Sequence, residues 1–170
     1  KNAPMEMKNA LRSLIDQGMN NLILDLRNNP GGLLSAAIEI LELIFPKGEK
    51  LLWTKGRTKE SNREFISRKN PLLDSKIKIA VLINEGSASA SEIVSGVIQD
   101  LDRGIVIGNK SFGKGLVQSV YGIDQKRSLK VTTAKYYIPS GRLIQKPDYL
   151  NEKVIKSIAM KDSVFTTKGG

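Results

Sequence analysis

Four serines crowd the stretch EGSASASEIVS, at Ser87, Ser89, Ser91 and Ser95, between the apolar run IKIAVLIN and a segment of helical period. A serine where a buried strand passes into a helix sits beside unpaired backbone N–H groups, at the positive end of the helix dipole. Such a hydroxyl either caps the helix or attacks as a nucleophile next to an oxyanion hole, and the pattern alone leaves both open. The small neighbours Ala88 and Ala90 would let a substrate backbone come close. A second candidate is Lys114, flanked by Gly113 and Gly115 in KSFGKG and followed by an apolar strand pattern from Leu116. Pressed into an apolar site, a lysine amine loses solvation and its pKa falls, which makes it a possible base. The alternative is an ordinary exposed loop lysine.

The sequence has neither histidine nor cysteine. A Ser-His-Asp triad, a His-based zinc site, thiolate ligands and cysteine nucleophiles are therefore excluded. Any general base must be Lys, Asp, Glu, Tyr or a terminal amine. With Gly108 in front, GNKSFGKG comes near the phosphate-binding pattern G-x-x-x-x-G-K-[ST] but departs from it twice. Gly115 replaces the magnesium-holding hydroxyl, and a strand pattern follows where a helix is needed to cradle phosphate. No nucleotide, metal or other cofactor is expected.

The elements that must position these residues follow from hydrophobic period and turn chemistry. Met7, Leu11, Leu14 and Ile15 predict a first helix ending near Gly18, and NLILDL predicts a buried strand. RNNPGG (Arg27 to Gly32) is a turn, and Leu33 to Phe45 reads as a helix apolar nearly all round. LLWT is a strand, the polar stretch from Arg57 to Pro71 an exposed excursion, and KIAVLIN a second buried strand. Ile93, Val94, Val97, Ile98 and Leu101 mark a third helix, whose Glu92 suits the first turn and whose Asp100 should pair, with Arg103 as the nearest cation. GIVIG, GLVQSVYGI and SLKVTTAKYYI read as further strands. Two strand-turn-helix units predict a mainly parallel α/β core with right-handed crossovers and a later antiparallel addition.

Together the motifs are more specific than any one of them. GSASASE, FGKG with Gln118 four positions after Lys114, the upstream ILDLRNNPGGLL and the downstream TTAKYYIPSGRLIQ resemble, in order, the carboxyl-terminal processing protease family of serine peptidases. The similarity runs from about Met5 to Gln145. It implies a nucleophile at Ser89, a general base at Lys114 and a lysine-orienting glutamine at Gln118. It also implies an oxyanion hole from the backbone N–H of Ala90 and of Gly31 or Gly32. Ser87 and Ser91 are then caps or spacers. The implied fold is the crotonase-like, Clp-protease-like α/β core of β-β-α units. The implied activity is cleavage of proteins near their C-termini by acyl transfer; the alternative is a non-catalytic peptide-binding or scaffolding remnant.

Members of that family generally carry a PDZ domain that binds substrate C-termini, and an extended segment before the first helix. Neither has a counterpart here, so residues 1–170 are expected to be a single peptidase core from a larger protein, with a peripheral segment from 146 onward. An extracytoplasmic site follows from the resemblance alone. The longest apolar run, LLSAAIEILELIF, contains Glu39 and Glu42 and is too short to span a bilayer. The formal charge is +10, with ten Lys or Arg against three Asp or Glu from Lys126 onward. A basic face of this kind can attract nucleic acid. Without an aromatic platform it reads instead as a solvated surface, and polypeptide substrates are the expected partners.

Overall fold

The computed structural model describes residues 2–146 and 164–170. The chain folds as an α/β structure with two sheets. Helix α1 (Ala3–Asp16) has Pro4 in its first turn, where a missing N–H costs nothing, and buries Leu11. Gly18, in the left-handed region at φ 81°, turns the chain out of the helix. Strand β1 (Asn21–Asp25) follows, then helix α2 (Leu34–Leu41). Strand β2 (Lys50–Gly56), a 3-10 turn, strand β3 (Arg63–Ile66), strand β4 (Lys78–Ile83) and helix α3 (Ala90–Asp100) come next. Strands β5 (Ile105–Gly108), β6 (Leu116–Gly122) and β7 (Ser128–Tyr137) complete the described elements.

β1, β4 and β5 form a three-stranded parallel sheet in the order β1-β4-β5, in register from Leu22 opposite Ile79 and from Val81 opposite Val106. Leu22, Ile79 and Val81 point inward to a core shared with Leu41, Val97 and Ile98. Burying this much branched apolar surface is the main stabilising term of such a sheet. The other strands form an antiparallel sheet in the order β3-β2-β7-β6. Leu51 and Leu52 of β2, Tyr136 of β7 and Ile138 beyond it enter the same core. α3 is buried along most of its length, which its small residues permit: a Cβ at Gly96 would lie 2.8 Å from the Ile138 side chain.

Three expectations change. α2 stops at Leu41; Leu43 to Phe45 continue as tight turns, so that Ile44 and Phe45 still reach the core. The Arg57 to Pro71 excursion holds an edge strand, β3, paired antiparallel with β2. Asp100 does pair, but with Arg142 (3.4 Å) and the Ser140 N–H (2.9 Å). Arg103 instead donates to the carbonyls of Ile77 and Asp74, at 2.7 and 2.9 Å. The turn after β7 thus supplies Asp100 with the donors that a helix C-terminus cannot. Of the expected peripheral segment, residues 147–163 lie outside the described residues. Residues 164–170 return to the far end of α3, where the Lys168 N–H bonds the Asp100 carbonyl at 2.8 Å. No helix among the described residues is long and apolar enough to cross a membrane.

Candidate active site

Three turns converge at the C-terminal ends of the parallel strands: Leu26–Gly32 after β1, Asn84–Ser89 after β4, and Asn109–Gly115 after β5. Strand ends on this edge of a parallel sheet leave backbone groups free to meet a ligand. The first two turns are cross-linked by side chains. Asn84 Oδ1 accepts the Asn28 N–H (2.8 Å) and the Gly86 N–H (3.0 Å), while its Nδ2 donates to Asn28 Oδ1 (2.9 Å). Asn28 is left-handed at φ 58°, a conformation that asparagine tolerates better than most residues. The Ser87 hydroxyl donates to the Leu26 carbonyl at 2.7 Å and accepts the Asn84 N–H at 3.0 Å. The Ala88 N–H bonds the Asn29 carbonyl at 3.0 Å. Gly31, at φ 83°, rests on the serine turn: a Cβ there would lie 2.4 Å from the Ala88 carbonyl oxygen and 2.6 Å from the Ala90 nitrogen.

Ser89 is the N-cap of α3, at φ 55° and ψ −115°. A non-glycine residue at positive φ stores backbone strain, and such strain persists only where the surroundings enforce it. The enforcing group is Glu92. Its carboxylate, 2% exposed, accepts the N–H of Ser89 (2.8 Å), Gly113 (2.6 Å) and Lys114 (2.8 Å), and the Ser111 hydroxyl (2.7 Å). One buried anion therefore ties the serine turn to the lysine loop. A carboxylate can be buried when its lone pairs are met by donors in this way. Sequence reasoning assigned Glu92 only to the helix dipole. The bond to the Ser89 N–H is half of an S-x-x-E capping box, but the other three partners stand 19 to 22 positions downstream and two of them are backbone N–H groups, which no residue pattern reveals.

Lys114 is half-buried between two buried glycines. Its loop is held further by the Gly115 N–H to Gln145 Oε1 (2.9 Å) and the Lys146 N–H to the Gly113 carbonyl (2.9 Å). The Tyr136 hydroxyl donates to the Lys114 carbonyl and reaches the Ser89 carbonyl at 3.4 Å. Burial, with the Glu92 charge close by, pushes the Tyr136 phenol upward, so it stays a neutral donor and does not compete as a base.

Ser89, Ala90, Lys114, Gln118 and Gly32 line one cavity of about 260 Å³, with Leu33, Leu34, Ile93, Leu116 and Val117 as its apolar wall. Gln118 is exposed on β6, just past a bulge in the β6–β7 pairing. Neither Lys114 Nζ nor the Gln118 amide is hydrogen-bonded to Ser89 in this structure; the cavity, not a direct bond, joins the three. The glycines differ. The Gly31 N–H is bonded to Asn29 Oδ1 at 2.9 Å, whereas the N–H groups of Gly32 and Ala90 have no partner among the described residues. No group of three or more acidic side chains among the described residues is arranged to hold a metal ion.

The family model described as peptidase family S41 matches residues 1–151. The chain belongs to peptidase family S41. It is 47% identical over 127 residues to a carboxy-terminal-processing protease of Bartonella bacilliformis, covering 75% of this chain and 29% of that protein. It is 41% identical over 157 residues to a carboxyl-terminal-processing protease of Synechocystis sp., covering 91% and 35%. Among solved structures, a photosystem II D1 C-terminal processing protease matches with a TM-score of 0.75 at 34% identity, over 85% of this chain and 37% of the other. Mature CPAF matches with a TM-score of 0.68 at 14% identity, over 84% of this chain and 40% of that one, a likeness of fold alone. The chain spans about a third of the length of these curated relatives. The two-sheet α/β core is the Clp-protease-like fold of these structures.

Proposed function

We propose that this chain is the catalytic core of a serine endopeptidase that cleaves proteins near their C-termini. The observation that carries the reading is one cavity. It holds a strained serine at a helix N-terminus, a lysine on a braced loop and two unengaged N–H groups, beside an apolar wall. Ser89 Oγ attacks the peptide carbonyl carbon and its proton passes to the Lys114 amine. The N–H groups of Ala90 and Gly32 stabilise the oxyanion; Gly32 suits this role better than Gly31, whose N–H is already committed. The resulting ammonium protonates the leaving amine, and Lys114 then takes a proton from the water that attacks the acyl-enzyme and returns it to Ser89 Oγ as the acyl bond breaks. Gln118, a neutral amide, orients the lysine without adding a charge that would keep it protonated. The Leu33, Leu34 and Leu116 wall favours an aliphatic residue next to the scissile bond.

In the whole protein a PDZ domain outside this chain recruits substrate C-termini, and the site of action is extracytoplasmic; both follow from the family resemblance. The test is peptide cleavage by the full-length protein and its Ser89→Ala form. Loss of cleavage in a folded Ser89→Ala variant supports the reading; retained cleavage overturns it.

A further inference from the structure

The cavity beside Ser89 is lined by two lysines and no carboxylate. Lys114 is the candidate base, and Lys130 is the second lysine of the cleft. Lys130 stands on β7 opposite Val120, and Gln118 stands opposite Thr132. Residues two apart on a strand share a face, so Lys130 and Gln118 lie on the same side of the hairpin, the side that borders the cavity. Lys130 is exposed and forms no salt bridge among the described residues. Its strand neighbours on that face, Ser128 and Thr132, bring no negative charge, and the opposing Val120 is apolar. A positive group left without a counter-ion beside an apolar wall is placed to take one from a ligand.

We propose that Lys130 forms a carboxylate subsite of the cleft. It binds an Asp or Glu side chain of the substrate, or the substrate's own C-terminal carboxylate, two to four residues from the scissile bond. The strand sets the upper limit. Leu116 on the cavity wall and Val120 opposite Lys130 are four residues, about 13 Å, apart at roughly 3.3 Å per residue, and an extended peptide alongside advances at the same rate, with the length of the lysine side chain shortening the reach needed. The proposal rests on the peptidase reading above and adds to it a preference for anionic substrates.

The experiment uses the full-length protein and three peptides with one aliphatic cleavage site. The first has a C-terminal amide and no charge near the site. The second has a free carboxylate three residues beyond the site. The third has the amide and a glutamate at that same distance, tested on either side. The expected result is a kcat/KM about tenfold higher for a carboxylate-bearing peptide than for the neutral one, shrinking with added salt. In Lys130→Ala that advantage disappears, in Lys130→Arg it persists, and in Lys130→Glu it passes to a lysine-bearing peptide. A second-peptide advantage that Lys130→Ala removes identifies the chain terminus as the ligand, and a third-peptide advantage that it removes identifies a side chain; a second-peptide advantage that survives is recruitment by the PDZ domain. Wild-type cleavage of all three at equal rates, or no advantage that depends on Lys130, overturns the subsite and leaves Lys130 a solvated surface lysine. Failure to cleave any of them contradicts the peptidase reading itself.

Discussion

Replacing Glu92 by glutamine removes one charge and little volume, yet the structure makes it a severe change. Four donors, the N–H groups of Ser89, Gly113 and Lys114 and the Ser111 hydroxyl, converge on a carboxylate that is 2% exposed. An amide offers one acceptor oxygen, and facing Ser89 and Lys114 it keeps both of their N–H bonds. The NH2 group then faces Ser111, whose hydroxyl can turn to accept, and the Gly113 N–H, which cannot. A buried donor left unsatisfied costs roughly 1–3 kcal/mol, so Glu92→Gln should lower stability by about 2 kcal/mol. That is a sizeable share of the roughly 5–15 kcal/mol that a domain has. The Gly113 bond that fails also holds the lysine loop against the serine turn, so kcat should fall roughly tenfold, about 1.4 kcal/mol, while KM changes little. The assay is urea unfolding of the full-length protein beside steady-state peptide cleavage. A Glu92→Gln variant within about 1 kcal/mol of the parent, with undiminished kcat, would refute the claim that this carboxylate braces the site.

Gly31→Ala should unfold or inactivate the protein, because the added methyl would sit 2.4 Å from the Ala88 carbonyl oxygen at a φ of 83°; thermal unfolding and cleavage check it. Asn84→Asp keeps the acceptor but loses the donation to Asn28 Oδ1, which loosens the Gly32 turn against Ala90. Its kcat should drop roughly tenfold and its affinity for a peptide boronate should fall in parallel, with KM steady. Lys114→Arg places a guanidinium that cannot give up its proton, so cleavage should be lost across the pH range; measurable turnover in a pH series would remove the base role.

The strands of the parallel sheet were legible because NLILDL and KIAVLIN are continuous apolar runs between polar residues, as strands buried in a layered α/β core must be. The division into two sheets was not legible. β2 pairs with β7, on the far side of β4, α3 and β5, and nothing local in LLWT announces that partner. β3 was hidden for another reason. REFI is a four-residue edge strand, and with one flank open to solvent it needs no alternating pattern. At the site, the serine turn, the glycine-flanked lysine and the NPGG turn could be read because their residue types are themselves the signal. The reach of Glu92 to the lysine loop and the Asn28–Asn84 clasp could not, because they join positions far apart through backbone groups or common amides. The choice between Gly31 and Gly32 likewise depended on one hydrogen bond, from Gly31 to Asn29.

The central claim is that Ser89 is a nucleophile activated by Lys114, and covalent labelling tests it most directly. The full-length protein is treated with a serine-directed fluorophosphonate and the modified residue is located by mass spectrometry, in the parent and in Lys114→Ala. The account predicts a single adduct on Ser89 in the parent and almost none in the variant. An adduct on Ser87 or Ser91, or equal labelling of Ser89 with and without the Lys114 amine, would contradict it.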